Sequence, residues 1–377
     1  MSDSNDKGNK LGMDEHQVPD ERLRYECEQA FLRRHFTEPS VNEEWERFQC
    51  SLSRNVQRKK RITYYILSGL SAAAIISGVI FFVLHDNKAQ RGRSKEAMEV
   101  LITSISKEQQ VVIEESGDGM PKERTTIAVN AVPTVERQGA VLSAKGADYT
   151  HVNAKRVRRN VVSIPRGKVY KIVLNDGTEV WLNAHSRFSF PTWFSGDKRE
   201  VTLEGEAYFK VMHEENRPFI IVTDKITTQV LGTELNVKAY KDSEAHVTLV
   251  RGAVCVRLPH KAEGVLLSPG DDMVCADDSF QIKKVDTSYY SQWMEGVFYY
   301  DDVSLVDILR DLGRWYNLSV EIEQEPALMS LRLHFVAERS DSIDKVIENL
   351  NAYEYLSVTK KGNRLVVKRK NKETDKE

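Results

Sequence analysis

Twenty-three consecutive residues without a charge, Ile62 to Leu84 (ITYYILSGLSAAAIISGVIFFVL), constrain this chain more than any other feature. At about 1.5 Å rise per residue, a helix of that length reaches roughly 34 Å and crosses a hydrocarbon core of about 30 Å. A helix on a soluble domain shows a polar face, and this run has none. It lies too far from Met1, and is too long, to be the apolar core of a cleavable signal peptide. The expectation is a single transmembrane helix over 62–84. Arg58, Lys59, Lys60 and Arg61 form its flank, at the end of the basic block RNVQRKKR. Six Lys or Arg fall in the fifteen residues before the span and four in the fifteen after it. The positive-inside rule therefore favours a cytoplasmic N-terminus.

The formal net charge of −2 over 377 residues gives no reason to expect a nucleic-acid partner. Four cysteines, Cys27 and Cys50 before the span and Cys255 and Cys275 after it, have neither zinc nor redox spacing. Cys255 and Cys275 sit in strand-like runs and read as small buried hydrophobes, a bond between them staying open. Within 1–61, Leu23, Cys27, Ala30 and Phe31 make one apolar stripe, and Val41, Trp45, Phe48 and Leu52 a second, with Ser40 and Glu43 placed as a capping box. Two short amphipathic helices cannot bury both stripes alone. They either pack on each other or complete their core against a cytoplasmic partner.

Residues 85–160 read as a tether of marginal structure, with Met98, Leu101, Ile102 and Ile105 suggesting a helical turn or two. From about Val161 to residue 285, short β-branched and aromatic runs alternate with turn residues, as in VYKIVL, Asn175-Asp176-Gly177, TEVWLN. An antiparallel β-sandwich or jelly-roll-like domain is expected, a short β-solenoid being second choice. Scattered histidines, and no serine in a nucleophile-elbow context, leave no catalytic, cofactor or metal constellation. Trp181, Trp193 and Tyr208 are candidates for an aromatic platform on a glycan or envelope polymer, although core packing explains them more cheaply. Residues 293–370 give the order β-α-β, β-α-β-β. Ser304 is placed to cap a helix striped by Leu305, Ile308, Leu309, Leu312 and Trp315, and Ile343, Val346, Ile347 and Leu350 stripe another. The whole is mainly β with a small α+β module, joined to amphipathic and transmembrane helices.

The phrases IPRGKVYKIVLNDGTEVWLNAHS (164–186), REVTLEGEAYFKV (199–211), RPFIIVT (217–223), VLGTELNVKAY (230–240), LVRGAVCV (249–256) and LSPGD (267–271) occur in that order. Together they resemble the FecR family of membrane-bound sigma-factor regulators. WMEGVFYYDDVSLVDILRDLGRWYNLSVEI resembles the domain that follows in Bacteroidetes members, with a secretin/TonB short N-terminal-like fold. EEWERFQ resembles the cytoplasmic segment of that group. The resemblance implies a non-enzymatic anti-sigma factor in the inner membrane, its N-terminus cytoplasmic and its C-terminus periplasmic. Residues 1–61 would hold an extracytoplasmic-function sigma factor, through Phe31, Trp45, Phe48 and Leu52. The periplasmic part would sense the N-terminal signalling domain of a TonB-dependent outer-membrane transporter. Some members are cut at a Gly-Thr bond by an N→O acyl shift, and Gly232-Thr233 is the matching dipeptide, which reads otherwise as an ordinary strand-entry turn. The alternative is a membrane-anchored glycan- or envelope-binding module without signalling output.

Overall fold

Strand Arg199–Lys210 organises the β-rich region because it belongs to two sheets. Its first half alternates buried and half-buried residues, with Val201 and Leu203 inward, as one-sided burial requires. From Gly205 to Phe209 every residue is buried. The change of sheet falls at Gly205, whose φ of +112° is open to glycine. A Cβ there would lie 2.4 Å from Ser186 Oγ, so close approach and conformation both demand glycine.

The computed structural model describes residues 98–370, apart from 103–105, 118–122, 128–134, 138, 153–156, 262 and 277–278. These residues all belong to one compact unit of the chain, Ala73–Glu377. The first sheet runs, in spatial order, Glu123–Ile127, Val111–Ser116, Arg159–Ser163, Arg187–Pro191, the first half of the shared strand, Phe219–Val222, Thr227–Val230, Val254–Arg257 and Val265–Leu267. The second runs Val135–Arg137, Ala140–Leu142, Gly146–Asp148, Tyr170–Val173, Glu179–Leu182, the second half of the shared strand, Glu234–Ala239, Ala245–Arg251, Asp271–Ala276 and Ser279–Lys284. Phe188 meets Phe190 and Phe209 at ring-centroid distances of 5.3 and 6.1 Å, and Phe219 meets Phe209 and Phe194 at 6.2 and 6.0 Å. This aromatic chain joins the sheets through one core. Each such side chain contributes about 1.5–3 kcal/mol by leaving water. Arg199, with no exposed surface, staples the loops at one end: it donates to Asp176 Oδ2 (2.9 Å) and to the carbonyls of Met212, Arg217 and Leu231.

The α+β module pairs Val297–Ser304 with Arg332–Glu338. Helix α1, Leu305–Tyr316, begins where Asp307 N–H donates to Ser304 Oγ (3.1 Å) and ends at Asn317, in the left-handed region. Helices α2, Pro326–Met329, and α3, Ile343–Asn351, follow, Ser342 capping the latter. The four-stranded sheet has the order Met98–Ile102, Ser319–Glu323, Arg364–Arg369, Leu356–Lys361. Leu101 and Ile102 belong to this module's core with Leu312, Val320 and Ile322. Gly313 permits the contact, since a Cβ there would lie 2.7 Å from Val320 Cγ2 and 2.9 Å from Ile102 Cδ1.

Three expectations are corrected. The described parts of 98–152 are strands rather than tether: Met98–Ile102 completes the C-terminal sheet, and Val111–Ser116 pairs with Arg159–Ser163. The helical stripe at Met98, Leu101 and Ile102 is a strand whose register slips between Val100 and Ile102, turning two consecutive apolar side chains inward. The β domain is not purely antiparallel, because Arg199–Thr202 runs parallel to Phe219–Val222 and Gly146–Asp148 to Lys171–Val173. Among the described residues no helix is long and apolar enough to cross a membrane. The expected span 62–84, its flank Arg58–Arg61 and the helices of 1–61 lie outside the described residues.

Candidate functional site

On the outer face of the second sheet, strand alternation places Glu206 on the shared strand, and Asn236 and Lys238 on Glu234–Ala239. Such residues ordinarily meet water. Here Glu206 and Asn236 are buried, because α1 and the residues around Trp293 cover them. Burying polar groups is costly unless each finds a partner. The partners come from both domains.

Lys238 Nζ lies 2.7 Å from Asp311 Oδ2 on α1, and Arg314, one turn on, donates to Asp311 Oδ1 at 2.9 Å. Arg314 also reaches Asp242, in the turn after Glu234–Ala239, and its guanidinium lies 3.8 Å from the centroid of the Tyr240 ring. The Tyr240 hydroxyl donates to Ala184 O at 2.7 Å, and that of Tyr300 to Asp311 Oδ2 at 3.2 Å. A second line joins the domains through Arg339, which donates to Asn183 Oδ1 (2.8 Å). Asn183 and Asn236 each donate to Glu206, at 2.8 and 3.0 Å, and Trp293 Nε1 donates to Asn236 Oδ1 at 3.4 Å. Arg339 sits over the rings of Trp315 and Phe298, 4.5 and 4.8 Å from their centroids.

Burial alone would push the Asp311 carboxyl up, but Lys238 and Arg314 hold it below its ordinary range. Burial likewise opposes the charge on Lys238, yet Asp311, with Glu206 and Asp307, raises that amine. Both groups are therefore ionised at neutral pH, a part-buried ion pair in which each member depends on the other domain. This chemistry fixes two domains in one orientation. It offers no nucleophile next to a base.

Gly232 and Thr233 lie in a turn between strands. Thr233 is buried, and its hydroxyl donates to Ala253 O at 2.9 Å. Gly232 packs so closely on His213 that a Cβ would lie 2.5 Å from its Nδ1. No cis peptide is present among the described residues, and neither residue has a positive φ. Cys255 and Cys275 are free and buried on strands of different sheets, and burial pushes both thiols up, Cys275 to about 11. Among the described residues no three His, Cys, Asp or Glu side chains converge on a metal position. Trp181 and Tyr208 pack edge to face, 6.2 Å apart, and the ammonium groups of Lys171 and Lys210 lie over the Trp181 ring. Trp193 is 42 % exposed just after Arg187–Pro191 in the other sheet, and shares no ring contact with them. The three aromatics form no common platform. Phe31, Trp45, Phe48 and Leu52 lie outside the described residues. The interdomain network itself escapes a reading of the sequence, because Glu206 and Lys238 occupy positions that look solvated.

Residues 160–255 match the family described as FecR protein, and residues 297–367 the family described as FecR, C-terminal. Among solved structures, a "putative anti-sigma factor" from Parabacteroides distasonis at 1.65 Å is similar at 28 % identity and a TM-score of 0.52. That match covers 56 % of this chain and 99 % of that one. A second crystal structure so described from the same organism, at 2.50 Å, is similar at 27 % identity and the same TM-score, covering 56 % and 100 %. No curated protein matches the chain.

Proposed function

We propose, on the premise that this chain belongs to the FecR family, that it relays a signal across the inner membrane to a cytoplasmic sigma factor. The role is regulatory and not enzymatic, in keeping with the family and with structural neighbours described as anti-sigma factors. Residues 1–61 hold an extracytoplasmic-function sigma factor, with Phe31, Trp45, Phe48 and Leu52 in the contact. The uncharged run 62–84 spans the bilayer, N-terminus cytoplasmic, with Arg58, Lys59, Lys60 and Arg61 at its inner boundary. The β domain and the α+β module stand in the periplasm and respond to the signalling domain of a TonB-dependent outer-membrane transporter.

One observation carries this reading: the two family domains meet through a part-buried, mutually dependent network of ion pairs and hydrogen bonds. A contact on either domain is therefore felt by both. Such a contact shifts the state of the receptor only through a difference in affinity between two states. Affinity capture of the full-length protein from membranes is expected to yield one cytoplasmic sigma factor and one outer-membrane transporter. A fragment of residues 1–61 is expected to retain the sigma factor alone. Failure of that fragment to co-purify any sigma factor would overturn the assignment.

A further inference from the structure

Arg166 lies in the loop that joins Arg159–Ser163 to Tyr170–Val173, and it is only 8 % exposed. A guanidinium withdrawn from water to that extent ordinarily has a carboxylate or several carbonyls around it. This one has none. Its Nε and Nη1 are buried without an acceptor, and among the described residues it forms no hydrogen bond and no ion pair. Arg199, also buried in the β domain, shows the contrast, since four acceptors surround it.

Three other elements close on Arg166. Its neighbour Gly167 packs against the end of α1, where a Cβ would lie 2.9 Å from Trp315 O. The turn at His185 is tied to the same loop, because His185 N–H donates to Pro165 O at 3.4 Å. His185 itself is exposed, on a backbone of φ +61°. Loss of hydration and the positive charges of Arg166 and Arg314 push its imidazole below the ordinary range, so the ring senses both arginines. The third element is the turn at Asp242, whose carboxylate is engaged by Arg314. The neighbouring cations are matched, Arg314 by Asp242 and Asp311, and Lys241 by Glu204. Arg166 alone among them has a charge and no counter-ion.

We propose that this junction is a binding site for one small carboxylate monoanion, held by Arg166 and entered from the exposed side at His185. The planar fork of a guanidinium matches the two oxygens of a carboxylate. A dianion is disfavoured, because Asp242, Glu204 and the negative end of α1 lie around the same place. A chain segment is disfavoured too, because so little of Arg166 is exposed that it admits a small group and not an extended backbone. Bound there, the carboxylate sits where the β domain's loop meets α1, and adds a ligand-dependent tie to the junction that Lys238 and Asp311 hold.

The test titrates purified full-length protein with sodium acetate at constant ionic strength, sodium chloride making up the balance. The His185 ring resonances are expected to shift saturably, with a dissociation constant on the order of 1 mM. The His185 titration midpoint is expected to rise, as the added negative charge offsets the arginines. Sodium sulfate is expected to bind about tenfold more weakly. Arg166→Gln removes an unmatched charge and breaks no hydrogen bond, so it is expected to fold with an unchanged or higher Tm, and to lose acetate affinity about tenfold. Arg166→Lys, which keeps the charge without the fork, is expected to recover part of that loss. A His185 response no different from that in chloride alone, tighter binding of sulfate, the same acetate affinity in Arg166→Gln, or binding confined to an aspartate-containing peptide would each overturn the site. The comparison of the three salts needs no variant. None of these readouts involves a sigma factor, so the site and the sigma-factor assignment fail separately.

Discussion

At the scale of residues, the pair Lys238–Asp311 carries the tightest prediction. Removing Lys238 leaves the part-buried Asp311 carboxylate, 13 % exposed, to Arg314 alone, so Lys238→Met is expected to cost about 2 kcal/mol of stability in urea denaturation. The double variant Lys238→Met, Asp311→Leu is expected to recover much of that loss, because no orphan charge remains. The pH dependence follows from the same pair. Asp311 is held below its ordinary 3.8, so its stabilisation is complete above that value and is lost as pH falls through the lowered one. Lys238 is raised above its ordinary 10.5, so its stabilisation is present below that value and is lost as pH rises through the raised one. Thermal scans should show a plateau between these limits, with a shallower acid limb in Asp311→Leu. None of this is legible locally. Glu206 and Lys238 obey strand alternation, and what covers them, α1 and the residues around Trp293, lies far along the chain, the Lys238–Asp311 contact alone spanning 73 positions.

Elements were legible where local chemistry sets them. Ser304 and the stripe Leu305, Ile308, Leu309, Leu312 mark α1, and the Asp-Gly turn at 176–177 joins Tyr170–Val173 to Glu179–Leu182. Met98–Ile102 was not, because a bulged strand that turns two neighbouring side chains inward imitates helical spacing, and its partner lies more than two hundred residues away. Nor does alternation reveal that one strand serves two sheets. Gly205 is the point where that arrangement is vulnerable. Gly205→Val forces a side chain into Ser186 at a φ that L-residues avoid. It is expected to lower stability by about 2 kcal/mol or more, read as a fall in Tm, whereas Gly196→Val, in open space, should be near neutral.

For the whole molecule, cleavage at Gly232-Thr233 has a plain outcome. The attacking hydroxyl is engaged by Ala253 O and the turn has no positive φ, so mass spectrometry of the purified full-length protein is expected to show one uncut species. A cut at this bond that disappears in Thr233→Ala would contradict this. Domain order carries a further consequence. The α+β module takes its first strand from before the β domain and the rest from after it, so in the chain the β domain is an insertion. Both of its ends return to the same small module. Among the described residues its path toward the N-terminal side runs through Met98–Ile102, a strand of that host, so a displacement of the inserted body is conducted through the host, as a parcel is lifted by the string tied around it.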